Sequence, residues 1–156
     1  MTAKLPLRAL PGGARKAPLY GVDTMLFIYH FEDNPELGGL AGRLLERAEG
    51  GEFRLVTSIV TLMEVLVIPK RHGFDSLAQR YREFFSSFPN LQVLPVGPEV
   101  AEIAADLRAA HPLRPPDALQ VATALHGGAE AFVSEDRRLR RLDAIRVLGI
   151  EEALAV

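Results

Sequence analysis

The sequence predicts an α/β domain built around a parallel sheet of about five short strands. Five β-prone runs, LYGV, FRLVT, LQVL, AFVS and RVL, recur along the chain, and between them apolar residues return at the spacing of one helix face. Glycine, proline and asparagine pairs punctuate the junctions, where helices stop and turns form. The 156 residues, 48% hydrophobic and 24% charged, suffice for one buried core and exclude a disordered, fibrous or multidomain chain.

Taken in order, residues 1–18 carry Lys4, Arg8, Arg15 and Lys16 without an acid and lack the apolar core of a secretory signal. They read as a flexible basic arm, with the single domain over residues 19–156. LYGV is the first strand, and Asp23 leads into a helix from Thr24 to Phe31. Asn34-Pro35 breaks the chain before a helix from Glu36 to Ala48, which Gly50-Gly51 stops. FRLVT runs directly into a helix from Ser58 to Ile68 with Pro69 as its stop. A helix from Phe74 to Phe88 ends at Pro89-Asn90, LQVL follows, and Gly97-Pro98 opens a helix from Pro98 to Ala110. Pro115-Pro116 sets the start of a helix from Pro116 to His126, closed by Gly127-Gly128. AFVS, a short helix near Arg137 to Leu142, and RVL complete the pattern.

Lys+Arg 18 against Asp+Glu 20 leaves a formal net charge of -2, so a nucleic-acid footprint, if there is one, is local rather than spread over the whole surface. With Cys 0, disulfide scaffolds, zinc-cysteine sites and thiol catalysis are excluded, and a reducing cytoplasm is the expected address. The most apolar stretch, LVTSIVTLMEVLVIP, contains Glu64 and is shorter than the roughly 20 residues of a spanning helix, so no membrane span is expected.

Four acids stand where acids are uncommon. Ligands of open α/β sheets sit beyond the carboxyl ends of the strands, and Asp23 closes the first strand; an ordinary helix cap there is the competing explanation. Glu64 is the sole charge among Ile59, Val60, Leu62, Met63, Val65, Leu66, Val67 and Ile68. A helix apolar almost all round is expected to be buried, so this carboxylate needs a cation, a metal, hydrogen bonds or an arginine opposite it. Asp117 occupies the first turn of its helix on a face shared with Val121 and Ala124, where complementing the helix dipole is the alternative role. Asp136 follows the strand AFVS, with Glu135 as its rival. Four oxygen donors from separate strand ends and helix starts suit a hard cation, Mg²⁺ or Mn²⁺. The four histidines, His30, His72, His111 and His126, show no zinc-ligand spacing.

These segments resemble the four motifs of the PIN domain, particularly the VapC-type toxin ribonucleases of type II toxin-antitoxin systems. GVDTMLFIYHFEDNP resembles the first motif, VTSIVTLMEVLVIP the second, RPPDALQVATAL the third and most specific, and VSEDRRLRRL the fourth. The resemblance covers about residues 19–149. It implies a three-layer α/β/α fold with a central parallel sheet. It also implies that Asp23, Glu64, Asp117 and Asp136 are catalytic and ligate one or two Mg²⁺ or Mn²⁺ ions, with Thr24, Ser58 and Ser134 as supporting hydroxyls. The departures are a longer amino-terminal arm and Glu135 where an Asn is common.

The implied activity is metal-dependent endoribonuclease hydrolysis of RNA phosphodiester bonds. Arg114, Arg137 and Arg138 are the leading candidates for the RNA rim, followed by Arg140, Arg141, Lys70 and Arg71, although a solvated basic face explains each one separately. The resemblance further implies a cognate antitoxin protein and a homodimer. The helices from Glu36 to Ala48 and from Phe74 to Phe88, through Leu37, Leu40, Leu44 and Leu45 and through Leu77, Tyr81, Phe84, Phe85 and Phe88, are candidates for the antitoxin groove, with core packing as the default role. The alternatives are an RNA-processing PIN nuclease and a catalytically silent PIN module that binds a protein or RNA partner. A dinucleotide-binding enzyme would need a glycine-rich turn where GVDT stands. A phosphate-loop NTPase lacks its motif, a haloacid-dehalogenase-like phosphatase would need an acid at Met25, and a receiver domain would need a late lysine, whereas Lys4, Lys16 and Lys70 are the lysines present.

Overall fold

The first strand of the described residues lies at the centre of the sheet. In the computed structural model, which describes residues 16–156, β1 (Leu19–Val22) pairs with β2 (Arg54–Ser58) on one side and β4 (Ala131–Val133) on the other. Beyond these lie β3 (Leu91–Leu94) and β5 (Arg146–Leu148), giving the order β3-β2-β1-β4-β5 with every pair parallel. Except for Lys16, Ala17 and Pro18, the expected basic arm lies outside the described residues.

Helices α1 (Thr24–Phe31) and α2 (Gly38–Glu49) join β1 to β2, and α3 (Ile59–Arg71) and α4 (Asp75–Ser87) join β2 to β3. Helices α5 (Pro98–Ala110) and α6 (Pro115–His126) carry the chain from β3 to β4. A 3-10 helix over Arg137–Arg141 precedes β5, and α7 (Ile150–Leu154) follows it. Alternate strand residues point to opposite faces. Tyr20, Val22, Leu55, Ala131 and Val133 pack with α1 to α4 and α7, whereas Phe132 and Val147 pack with α5 and α6. The result is the three-layer α/β/α arrangement.

Gly21 decides how closely α6 lies on the sheet. A β-carbon there would fall 2.4 Å from Ala124 Cβ and 2.9 Å from the Phe132 ring. Without one, α6 seats against the central strand, which fixes its first turn near the carboxyl end of β1.

Several boundaries differ from the sequence pattern for local reasons. The second helix starts at Gly38 rather than Glu36 because Asn34 Oδ1 accepts from Glu36 N and Leu37 N and holds these residues in a turn. Pro69 does not stop α3, which continues to Arg71. Its missing donor concerns one bond only, and Gly73 at φ 69° supplies the actual stop. The five-residue α7 is too short to show a period.

The expectation that α3 is buried all round is corrected. Val60, Thr61, Val65, Leu66 and Pro69 are buried, but Ile59, Val67, Ile68 and Met63 are 41%, 41%, 46% and 60% exposed. The helix meets neighbours along one side, and the i, i+4, i+8 row Ile59, Met63, Val67 runs along the other. The aromatic run of α4 is mostly interior: Phe85 is buried, and Phe84 packs edge-on to Phe27 and Phe31. Leu44 and Leu45 of α2 are likewise core residues. Among the described residues no helix is long and apolar enough to cross a membrane.

Candidate functional site

From β1 the chain turns toward β2, and it reaches β4 on the other side only after crossing back, so a crevice opens at the carboxyl ends of these two strands. Asp23 N donates to Val133 O at 3.1 Å, which holds the end of β1 against β4. The four candidate acids, Asp23, Glu64, Asp117 and Asp136, line one cleft of about 260 Å³ there, together with Thr24, Tyr29, Arg114, Gln120, Ser134 and Glu135.

Asp23 precedes α1 but its side chain does not cap the helix; it accepts from the Ser134 hydroxyl at 2.8 Å. Burial pushes its carboxyl above the ordinary carboxylate range, the Ser134 hydrogen bond opposes that, and the nearby charges of Asp117 and Glu64 add to the rise. Glu64 is half-buried, and its partner is not an arginine but the Thr24 hydroxyl, which donates to Oε1 at 2.8 Å. Asp117, in the first turn of α6, faces Arg114 Nε at 3.0 Å. Asp136 caps the 3-10 helix through Arg138 N at 3.0 Å and accepts both Arg138 Nε at 3.0 Å and Nη2 at 2.7 Å. The Arg138 guanidinium accordingly holds the Asp136 carboxyl below its usual range. Glu135 also borders the cleft, but its Oε1 accepts from Ile150 N at 3.0 Å, at the start of α7.

Two expected site residues stand elsewhere. Ser58 is fully buried beneath the cleft, and its Oγ accepts from Val60 N at 3.1 Å as the cap of α3. Arg137 borders a separate groove with Arg140, Gly149 and Glu152. Arg114 and Arg138, by contrast, have side chains 67% and 70% exposed beside carboxylates that are 15% and 24% exposed, so both cations stand at the mouth.

The sequence pattern missed Gln120, which is 4% exposed. Its Nε2 donates to Thr24 Oγ1 at 2.9 Å and Thr61 Oγ1 at 2.7 Å, and its Oε1 accepts from Ser58 N at 3.2 Å. A polar residue one turn after Asp117, between Ala118 and Val121 on a buried helix face, was the available signal.

The donor set suits a hard divalent cation: carboxylates and hydroxyls, without thiolate or imidazole, around a half-buried Asp23 under repulsion from two neighbouring acids. Among the described residues no three acids or histidines already form a metal-binding group, since Asp117 and Asp136 are turned to their arginines. Both pairs are exposed on the cation side and can open without disturbing the core.

Solved structures with this fold include a toxin-antitoxin complex from Klebsiella pneumoniae, 23% identical, covering 86% of this chain and 98% of that one at a TM-score of 0.65. They also include VapBC2 from Rickettsia felis bound to a promoter DNA fragment, 15% identical, covering 84% and 98% at a TM-score of 0.68. A third is DNA-bound VapBC from Salmonella typhimurium, 23% identical, covering 86% and 98% at 0.62. At these identities the likeness is one of fold. No curated protein matches the sequence. The PIN domain family model matches residues 20–145, from the central strand past the last of the four acids, and the chain is a member of the PIN domain family.

Proposed function

We propose that the protein is a metal-dependent endoribonuclease and the toxin of a type II toxin-antitoxin pair. The observation that carries the reading is the convergence of Asp23, Glu64, Asp117 and Asp136 on one cleft at the carboxyl ends of β1 and β4. These carboxylates would hold Mg²⁺ or Mn²⁺, which when bound would supply positive charge to admit a phosphodiester and activate water for attack at phosphorus as the 3′-oxygen departs. Ser134 orients Asp23 and Thr24 orients Glu64. Arg114 and Arg138 at the mouth exchange their carboxylates for phosphate oxygens as the strand enters, a role suited to the planar guanidinium.

The antitoxin half of the proposal has its own support. An apolar groove of about 290 Å³ between α1, α3 and α4, lined by Phe31, Ile68, Phe74 and Tyr81 among others, shares Glu64 with the acidic cleft. An amphipathic helix in that groove would bring a basic side chain within reach of the acids, and solved structures of this fold include a toxin-antitoxin complex and two DNA-bound VapBC assemblies. The purified protein is expected to cleave RNA in Mg²⁺ or Mn²⁺ and to be silent in excess chelator; equal cleavage in both overturns the metal-dependent reading. Harmless expression of folded, RNA-cleaving protein would remove the toxin assignment and leave the nuclease.

A further inference from the structure

We propose that Gln120 is a positioning residue that fixes the Glu64 carboxylate through the Thr24 hydroxyl, an inference that rests on Glu64 being a metal ligand. The direction of the hydrogen bonds carries it. Ser58 N donates to one end of the Gln120 side chain at 3.2 Å, which identifies that end as the carbonyl oxygen. The amide nitrogen then donates one hydrogen to Thr24 Oγ1 at 2.9 Å and the other to Thr61 Oγ1 at 2.7 Å. Thr57 directs its hydroxyl to Val22 O at 3.0 Å and is an acceptor for Thr61 at 2.7 Å. Thr24 and Thr61 also stand 3.0 Å apart. Whichever oxygen Thr61 donates to, Thr24 receives the amide hydrogen and has its own proton left for Glu64 Oε1 at 2.8 Å. An ionised carboxylate only accepts, so polarity runs one way, from amide to hydroxyl to carboxylate.

Packing alone gives no reason for an amide at this position. Gln120, Thr24, Thr57 and Thr61 are 4%, 3%, 1% and 0% exposed, and a methionine would fill a similar volume without needing partners. The network joins β2, α1, α3 and α6, the elements that deliver Glu64, Asp23 and Asp117. Without the amide donors, the Thr24 hydroxyl is free to turn toward Thr61, and Glu64 loses its fixed partner. Groups that orient metal ligands in this way typically change metal affinity about 10- to 100-fold when removed.

The test is Mn²⁺ affinity by calorimetry, with folding followed by circular dichroism. Gln120→Met and Thr24→Val are each expected to weaken Mn²⁺ binding about 10-fold, the double variant no more than Thr24→Val alone, and Thr24→Ser to retain affinity. Wild-type affinity in folded Gln120→Met overturns the proposal, as do losses that multiply in the double variant. Glu64→Gln separates the two readings: unchanged Mn²⁺ binding there removes Glu64 from the metal site, whereas weakened binding beside an unaffected Gln120→Met sinks the positioning role alone. If Gln120→Met does not fold, the wild type decides by NMR. Mg²⁺ is expected to shift the side-chain amide signals of Gln120 and to leave those of the exposed Gln79 and Gln92 in place. An unmoved Gln120 signal at saturating Mg²⁺ refutes the proposal.

Discussion

The Ser134 hydroxyl donates to Asp23 Oδ2 at 2.8 Å across 111 residues of sequence, tying the ends of two adjacent strands together at a desolvated acid of the cleft. The bond does not cancel the effect of burial, and the Asp23 carboxyl remains above 3.8. In metal-free protein the folded state therefore holds this proton more tightly than the unfolded chain does. Its stabilising contribution is full below 3.8 and is lost as pH rises through the elevated folded value. Asp136, held below 3.8, acts oppositely: it contributes above 3.8 and is lost as pH falls through its depressed value. Asp23→Asn is expected to raise the thermal midpoint in chelator at neutral pH, with the gain shrinking toward pH 3. Melting curves over that range check it, and a variant no more stable than wild type at pH 7 contradicts the sign.

Asp117→Asn separates a ligand from a helix cap. As a ligand, its loss costs RNA cleavage about 100-fold or more and abolishes the rise in midpoint induced by Mn²⁺. Folding is unharmed or slightly improved, because Asp117 repels Asp23 and its partner Arg114 is exposed. As a cap, it would lose at most about 1 kcal/mol of stability and leave cleavage unchanged. Single-turnover cleavage beside melting with and without Mn²⁺ distinguishes the two.

Arg138→Ala should move two quantities in opposite directions. Removing the bidentate partner of Asp136 leaves that carboxylate free for a cation, so Mn²⁺ binds more tightly. RNA binds more weakly, and the slope of log affinity against log salt falls by about 0.7 for the single lost phosphate contact. Anisotropy titrations at several salt concentrations, with Mn²⁺ calorimetry, read both. No change in either would make Arg138 an ordinary solvated surface cation.

Gly21→Ala tests the seating of α6. The added methyl meets Ala124 Cβ at 2.4 Å, and overpacking of this kind costs about 1–3 kcal/mol. Ala124→Gly in the same molecule should recover part of that loss, the 2.9 Å contact with Phe132 remaining. Denaturant melts of the four proteins form a double-mutant cycle, and strictly additive losses would show that the contact does not set the spacing.

The strands and the four acids were legible because each leaves a mark within a short window: a β-prone run bounded by turn residues, or a lone charge in apolar surroundings. What was not legible depends on distant neighbours. Gln120 takes its meaning from Thr24, 96 residues away, and in a local window it is one polar residue in a helix. The composition around Glu64 gives the apolar content of α3 but not the number of sides that find a partner, so Met63 faces outward. Ser58 is a supporting hydroxyl on the strength of its motif, and only the structure shows that its hydroxyl caps α3 while its backbone N–H orients Gln120. Arg137 and Arg138 are adjacent in sequence, and the 3-10 helix sends only Arg138 to the acids.

The placement of the first strand at the centre of the sheet sets an order of events during synthesis. Thr24 and Glu64 are 40 residues apart and Asp23 and Ser134 are 111 apart, so the wall formed by α1 and α3 can assemble well before the opposite wall exists. At about 5–20 residues per second, the interval between emergence of Glu64 and of Asp136 is on the order of 10 s. Throughout that interval β1 has an unsatisfied edge where β4 will pair, and Asp23 stays open to water. A ribosome stalled before β4 therefore holds an incomplete cleft, with Asp136 and the Ser134 hydroxyl that pairs with Asp23 yet to be joined to it.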